Sequence, residues 1–341
     1  GAGVTVAPMA RDLSRPRETL ERRVGPDWAG RRLDDFLAAW IRWRPRDDVE
    51  ARIARGDVSV DAVTADASRL LRTGEQVVLR VAPPADWKVD ASIRIDVLHE
   101  EESFLVLNKA AGDVVHPVGK FVSDTLMNAL FARYKRADGG LDAVPMVVHR
   151  LDRRTSGVIV FAKNDAARRR LGAAFEAREV RKEYLALTRG TIARDAFAVD
   201  LPIGPDGRGL NRTLMAVRED GRPSLTEVRT ERRFAQATLV RCAPITGRTH
   251  QIRVHLAAIG HPLWCDPLYG PDGDPTQPGR VPPATAAMLG VAADDPEEIV
   301  LARLALHAAR LEFPHPVTGA HLSFEAPLPP DFAGALARLG A

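Results

Sequence analysis

Cysteine is nearly missing from this chain. Its 341 residues hold two, Cys242 and Cys265, neither in a CxxC pair, so a disulfide framework or a cysteine-based zinc site is not expected. Long apolar runs are missing as well. Nothing nears the ~18 consecutive apolar residues of a membrane span, and no charged-then-apolar leader opens the sequence. A cytoplasmic protein with no membrane partner is expected. Phosphate-cradling and metal patterns are also absent. There is no GxxxxGK[ST], and the GPDGRG stretch from Gly204 to Gly209 follows no strand-to-helix junction, so it reads as a turn. His250, His255 and His261 invite a metal reading, but side chains five apart on a helix diverge, unlike those of HExxH. Base deamination would need HxE with PCxxC, and neither occurs. No cofactor and no metal are expected.

Lysine is the last scarcity. Only six of the 48 basic residues are Lys and 42 are Arg, against 45 acids. The net charge of +3 is too small to imply a nucleic-acid partner by itself. Arg, however, makes planar, bidentate contacts with phosphate and stacks on bases. A GC-rich genome would also enrich Arg, together with the abundant Ala.

Residues 1–24 are rich in Arg, Pro and Ala without apolar periodicity and are expected to form a mobile tail. A compact unit over 25–84 follows. Leu33, Phe36, Leu37, Trp40 and Ile41 recur at the spacing of one helical face. A second helix is expected over Asp47–Ala54, then short strands and turns ending in a strand over Gln76–Val81, with Pro83-Pro84 as a stiff linker. From Ile93 the texture becomes strands with a few helices, including strands at Phe104–Leu107, Val144–Val148, Val158–Ala162, Glu183–Thr188 and Leu306–Phe313. Helices are expected over Asp124–Tyr134 and, capped by Asn164, over Asp165–Arg178. Val228–Phe234 and Ala237–Cys242 read as a hairpin, and a loop over 270–298 as variable. Without βαβ repetition, an α+β fold with a mixed, largely antiparallel sheet is favoured over a doubly wound one.

Two motifs are dense enough for chemistry. In HRLDRRTSGVIVFAKN, Asp152 stands among His149, Arg150, Arg153 and Arg154, on a turn that feeds an apolar strand. Neighbouring cations favour the charged form of a carboxylate and suit a polyanionic partner. A loop ion pair is the plainer reading of such a site. In PITGRTHQIRVHLAAIGHPLWCDPLYG, Thr249 is a plausible N-cap, and Ile252, His255, Leu256 and Ile259 share a helical face that Gly260 and Pro262 end. Arg253, one position round from Ile252, would be partly desolvated and need a carboxylate.

Taken in order, HRLDRRTSG, RKEYLALTRG and TGRTHQIRVHLAAIGHP resemble the RluA family of RNA pseudouridine synthases. The likeness continues upstream in LNKAAGDVVHP and downstream in LALHAARLEFPHPVTGAHLSFEAPLP, covering about Ile93 to the C-terminus as the catalytic domain, 93–341. It implies a pseudouridine synthase fold that isomerises uridine in structured RNA, large-subunit (23S) ribosomal RNA or else transfer RNA, without a cofactor and as a monomer. It implies that Asp152 is the catalytic aspartate and that Arg253 pairs with it. Tyr184 would pack on the flipped base, and Arg150 would take the space vacated in the RNA. Ala110 stands where the family's NKPAG-like stretch has Pro, and Cys265 where a Gly is common. The unit at 25–84 resembles the αL RNA-binding module, in GRRLDDFL, RIARGDVSVDA and LLRTGEQVVL, and departs from it where WRPRDDV replaces a Ser-Arg-Ser-like step. The resemblance makes Arg42, Arg44, Arg46, Arg52 and Arg55 the candidate RNA contacts. A non-catalytic RNA-binding or ribosome-assembly factor with the same fold is the alternative.

Overall fold

A computed structural model describes residues 19–41, 46–80, 93–117, 124–206, 214–270, 301 and 303–340. The chain divides into two compact units, one made of residues 1–93 with 116–142, the other of 94–115 with 143–341.

In the first unit, strands β1 (Thr19–Arg23), β2 (Val58–Val60), β3 (Val63–Thr64) and β4 (Gln76–Arg80) form an antiparallel sheet in the order β1-β4-β2-β3. β1 corrects the expectation of a tail through residue 24. Its five residues pair with β4, and Leu20 is buried, so one inward side chain and a full ladder fix a segment that lacks helical periodicity. Helices α1 (Leu33–Trp40) and α2 (Arg46–Ala54) supply Leu33, Phe36, Leu37, Val49 and Ile53 to the core beside this sheet. Acids at the start of α1, Asp34 and Asp35, suit the positive end of its dipole. Asp34 is buried because Arg32 clasps it with two hydrogen bonds, at 3.0 and 2.7 Å. Helix α3 (Leu126–Tyr134) opens with a reciprocal capping box between Thr125 and Asn128.

The second unit is built on a ten-stranded sheet. Its strands are β5 (Val97–Glu100), β6 (Phe104–Lys109), β7 (Met146–Val147), β8 (Ser156–Ala162), β9 (Arg181–Arg189), β10 (Ala196–Asp200), β13 (Leu225–Arg233), β14 (Ala237–Pro244), β15 (Leu306–Pro314) and β16 (His321–Glu325). The main path runs β10-β13-β14-β9-β15-β8-β6-β5, with β16 beside β15 and β7 beside β8. Every pairing is antiparallel except β15 with β8, so the sheet is mixed and largely antiparallel. β11 (Ile203–Pro205) and β12 (Met215–Val217) form a separate hairpin. β8 is buried along its whole length, as its unbroken apolar run requires. Helix α4 (Asp165–Glu176) covers part of this sheet with Ala167, Leu171 and Ala174, and Asn164 caps it by accepting the Ala167 N–H at 2.8 Å. Helix α5 (Gln251–Ala258) follows β14, and α6 (Pro330–Leu339) packs Phe332 and Ala335 beside Trp264 and Leu301. No helix of the described residues is long and apolar enough to cross a membrane.

One row of the sheet places the site. Gly157 of β8 pairs with Ala308 of β15, Ala308 with Tyr184 of β9, and Tyr184 with Cys242 of β14. Paired residues present their side chains to the same face, so two very small residues lie between the Asp152 turn and Tyr184. Gly157 holds φ +113°, and a Cβ there would run into the carbonyl oxygen of Ala308. Gly157→Ala is expected to cost about 3 kcal/mol or more, combining backbone strain with a forced separation of β8 and β15. Urea unfolding measures it, and a loss under about 1 kcal/mol would show that this strand contact yields easily.

Candidate active site

Asp152 sits on the turn that enters β8, closed by the Thr155 N–H donating to the Asp152 carbonyl at 3.0 Å. A second loop braces this turn. The Lys109 ammonium, 1% exposed at the end of β6, donates to the carbonyls of Ala110, Asp113 and Arg153 at 2.7, 2.9 and 3.1 Å. Burial draws its pKa down to about 7, against the pull of Asp113 and Asp152. Three carbonyl acceptors match the three donors that only the ammonium form possesses. Gly112 and Arg153 add reciprocal bonds, Gly112 N–H to the Arg153 carbonyl at 2.8 Å and Arg153 Nε to the Gly112 carbonyl at 3.0 Å. Ala110, in place of the family's Pro, keeps the carbonyl that Lys109 uses.

The charge that engages Asp152 comes from 101 residues away. Arg253 Nη1 donates to Asp152 Oδ2 at 3.0 Å, while its Nε and Nη2 clasp Asp266 at 2.8 and 2.7 Å. Arg253 is 5% exposed, the Asp266 side chain is fully buried, and Asp152 is 29% exposed. Burial pushes the Arg253 pKa down, but hydrogen bonds and charge from Asp266 and Asp152 outweigh it and raise it. The guanidinium also lies 4.9 Å from the centre of the Tyr269 ring, a cation–π contact. Asp266 is fixed in turn by the N–H groups of Leu268 and Tyr269. Among the described residues, no hydrogen bond engages the second oxygen of Asp152.

Tyr184 packs beside the cluster of Ala186, Val240, Ile252 and Leu256, and burial, then the charge of Asp152, raises its pKa. The structure thus brings Asp152, Arg253 and Tyr184 together, with Arg150 exposed two residues before Asp152. Several expectations need correction. His149 is not one of the cations around Asp152. Its Nε2 accepts the Val160 N–H at 3.1 Å, its ring stacks on Phe175, and burial, aided by Lys182, lowers its pKa to about 3. Thr249 does not cap α5. The residue in that place is His250, with left-handed backbone and no side-chain cap bond, while the Gln251 side-chain oxygen accepts from the Arg248 N–H and the Thr246 hydroxyl. Cys265 has φ +54°, which explains why Gly is common there.

In the first unit, Arg46, Arg52 and Arg55 each meet an acid: Arg46 meets Asp35 and Glu50, Arg52 meets Asp48, and Arg55 meets Asp57. Arg42, Arg44 and the linker Pro83-Pro84 lie outside the described residues, as does most of the loop at 270–298. Sequence reasoning missed Asp266 and Tyr269, and weighed His250 only as a metal ligand. The only signal was that all three fall inside the second dense motif. Among the described residues no three His, Cys, Asp or Glu side chains group as a metal site. His255 and His261 turn away to Thr226 with the Leu201 carbonyl and to the Arg189 carbonyl, respectively.

His149 also gives a pH prediction. Folded, it is neutral down to about pH 3, whereas an unfolded His takes a proton near its ordinary value of ~6.5. Its depressed pKa means its contribution is complete above that value and lost as pH falls toward 3. Because the ring is only half-buried, about 1–2 kcal/mol of acid sensitivity is expected. His149→Gln, which keeps an acceptor for Val160, should flatten the urea stability slope between pH 6.5 and 4. An unchanged slope would place the acid sensitivity elsewhere.

Known proteins resemble this chain along most of its length. The family described as RNA pseudouridylate synthase matches residues 103–258. A ribosomal large subunit pseudouridine synthase D of Nitrosomonas europaea is 38% identical, covering 93% of this chain and 87% of the relative. The synthase of the same name from Xanthomonas campestris is 39% identical, covering 95% and 94%. Among solved structures, human RNA pseudouridylate synthase domain containing 4 superposes with a TM-score of 0.57 at 27% identity, covering 72% of this chain and 93% of that one. The chain belongs to the RluA family of RNA pseudouridine synthases, enzymes that isomerise uridine in RNA.

Proposed function

We propose that this enzyme converts uridine to pseudouridine at defined positions of large-subunit ribosomal RNA, with Asp152 as the acting carboxylate. One observation carries the reading of the site. Arg253 holds a single oxygen of a partly buried Asp152, leaving the other for a substrate. The isomerisation breaks the bond between C1′ and N1, turns the uracil and joins C1′ to C5. It needs no electron acceptor. A carboxylate can serve it by attack at C1′ or by removing the proton at C2′, and both routes call for a charged group in a site largely cleared of water. Tyr184 would offer a ring face to the extracted base, and Arg150 would fill its place in the RNA. Extraction costs a few kcal/mol of stacking, which phosphate contacts elsewhere must offset. Arg248 is suited to these. Burial and then the like charges of Arg222 and Arg178 lower its pKa, and a phosphate relieves such mutual repulsion.

The names of the relatives support ribosomal over transfer RNA as substrate, and monomeric action in the cytoplasm belongs to the same proposal. Mass mapping of pseudouridine in large-subunit RNA treated with the purified enzyme tests it. New pseudouridine in ribosomal RNA supports the reading, and modification of transfer RNA alone overturns the substrate.

The αL-like module at 25–84 is proposed to recruit RNA and add no chemistry. With Arg46, Arg52 and Arg55 already paired to acids, its contribution should come from modest, salt-sensitive contacts. Removing residues 1–84 is expected to leave turnover at saturating RNA within about threefold, raise the RNA concentration required and lower the salt slope. Binding titrations at several salt concentrations check this, and unaltered binding would leave these arginines as a solvated helix face.

A further inference from the structure

His250 stands just before α5 with φ 57° and ψ 20°. A residue with a Cβ holds this left-handed conformation at a cost, and such residues gather where a side chain must be aimed. Here the aim is two-sided. Nδ1 lies 2.7 Å from the Tyr269 hydroxyl, Nε2 lies 3.7 Å from Asp152 Oδ2, and the side chain is 13% exposed. The Tyr269 hydroxyl already accepts the Met215 N–H at 3.0 Å. Its own proton is free to go to Nδ1, and burial, which pushes the pKa of the phenol to about 12, keeps that proton on the oxygen. An imidazole that accepts at Nδ1 carries its proton on Nε2, the nitrogen facing Asp152. Burial lowers the His250 pKa, with Arg253 acting in the same sense and Asp152 and Asp266 opposing, so the neutral ring prevails near pH 7.

We propose that His250 is a positioning residue. Its Nε2–H and Arg253 hold the same oxygen of Asp152, so that the opposite oxygen is presented to the uridine, and Tyr269 acts through His250. This rests on the reading of Asp152 as the acting carboxylate. The Nε2 separation exceeds a hydrogen bond, and closing it on substrate binding is the tightening that catalytic contacts show. Two anchors on one oxygen stop the carboxylate from rotating about its terminal bond, which a single Arg253 contact would permit.

The test has kinetic and spectroscopic arms. At saturating ribosomal RNA fragment, His250→Ala should lower single-turnover conversion about 10- to 100-fold, the scale of a misplaced reacting group, while the RNA concentration at half-maximum rate moves less than about threefold. His250→Gln, which can place an amide N–H where Nε2–H stood, should recover most of the rate. Tyr269→Phe should cost about tenfold alone and nothing further in a His250→Ala background, the non-additivity of a residue acting through another. Long-range ¹⁵N–¹H spectra of histidine-labelled wild-type protein should show His250 as the Nε2–H tautomer near pH 7, and as a mixture in Tyr269→Phe. An Nδ1–H tautomer, additive rate losses, or His250→Ala within twofold of wild type would overturn the proposal. If wild type modifies none of the RNA offered but the tautomer is as stated, the substrate reading falls and the placement of His250 stands.

Discussion

Asp152→Asn is expected to abolish pseudouridine formation while leaving RNA affinity within about tenfold, because binding rests on many phosphate contacts. The substitution keeps size and one acceptor oxygen, so the Arg253 contact at 3.0 Å can persist through the carbonyl of the amide. What it removes is the anionic oxygen that the geometry leaves open. An amide neither attacks C1′ nor takes the C2′ proton at a useful rate, so the expected loss is at least about four orders of magnitude, the scale on which covalent machinery fails when its nucleophile is removed. Tritium release from RNA labelled at uracil C5, or liquid chromatography with mass detection after cyanoethylation, reads the outcome. Normal turnover by Asp152→Asn would remove Asp152 from the chemistry. A parallel loss of binding would instead make it a structural acid of the loop, the plainer reading of an Asp among arginines.

Much of the second unit was legible because its elements are bounded by strong local signals. β8 follows from the unbroken run after Gly157, α4 from Asn164 and its apolar spacing, and the hairpin of β13 and β14 from two apolar runs around a short turn. The first unit's α1 was legible from five side chains at helical spacing. β1 was not, since a five-residue edge strand with one buried side chain leaves almost no pattern. β10 escaped because a five-residue strand with one buried side chain, Val199, leaves almost no pattern, and β11 and β12 because each is three residues long beside Gly-rich sequence. α6 was readable in hindsight. Pro330 sits at its first turn, and Phe332, Ala335, Leu336 and Leu339 keep helical spacing.

The site divides along similar lines. Its residue types and two motifs were visible, and the family resemblance supplied the pairing of Asp152 with Arg253. Local spacing misled where it was taken as proximity. The cluster His149, Arg150, Arg153 and Arg154 looks like a cationic nest around Asp152. In three dimensions His149 is a neutral acceptor for Val160, and Arg153 turns to the Gly112 carbonyl. Asp266 could not be ranked by composition or period, since a buried acid is recognised only by the cation that meets it. The same holds for His250 and Tyr269, whose roles depend on a left-handed residue that no propensity predicts.

Arg253→Leu is expected to be the most damaging single change to the fold of the site. Asp266, fully buried, would lose two charge-assisted hydrogen bonds at 2.8 and 2.7 Å and keep only the N–H groups of Leu268 and Tyr269. Removing one partner of a buried pair costs about 3–5 kcal/mol, because the other is left as an uncompensated charge. The cation–π contact with Tyr269 goes too. Urea unfolding should therefore show a large loss of stability, and turnover should vanish. The double variant Arg253→Leu with Asp266→Leu separates the two effects. Replacing both partners with apolar side chains removes the buried charge along with its counter-charge, and such replacements are often close to neutral, so most of the stability should return. Activity should not, since Asp152 would still lack the guanidinium that fixes one of its oxygens. Arg253→Lys should fall between them, as an ammonium can meet one acid but lacks the fork that spans two. A double variant that regains turnover would show that Arg253 serves the fold through Asp266 alone and does nothing for Asp152.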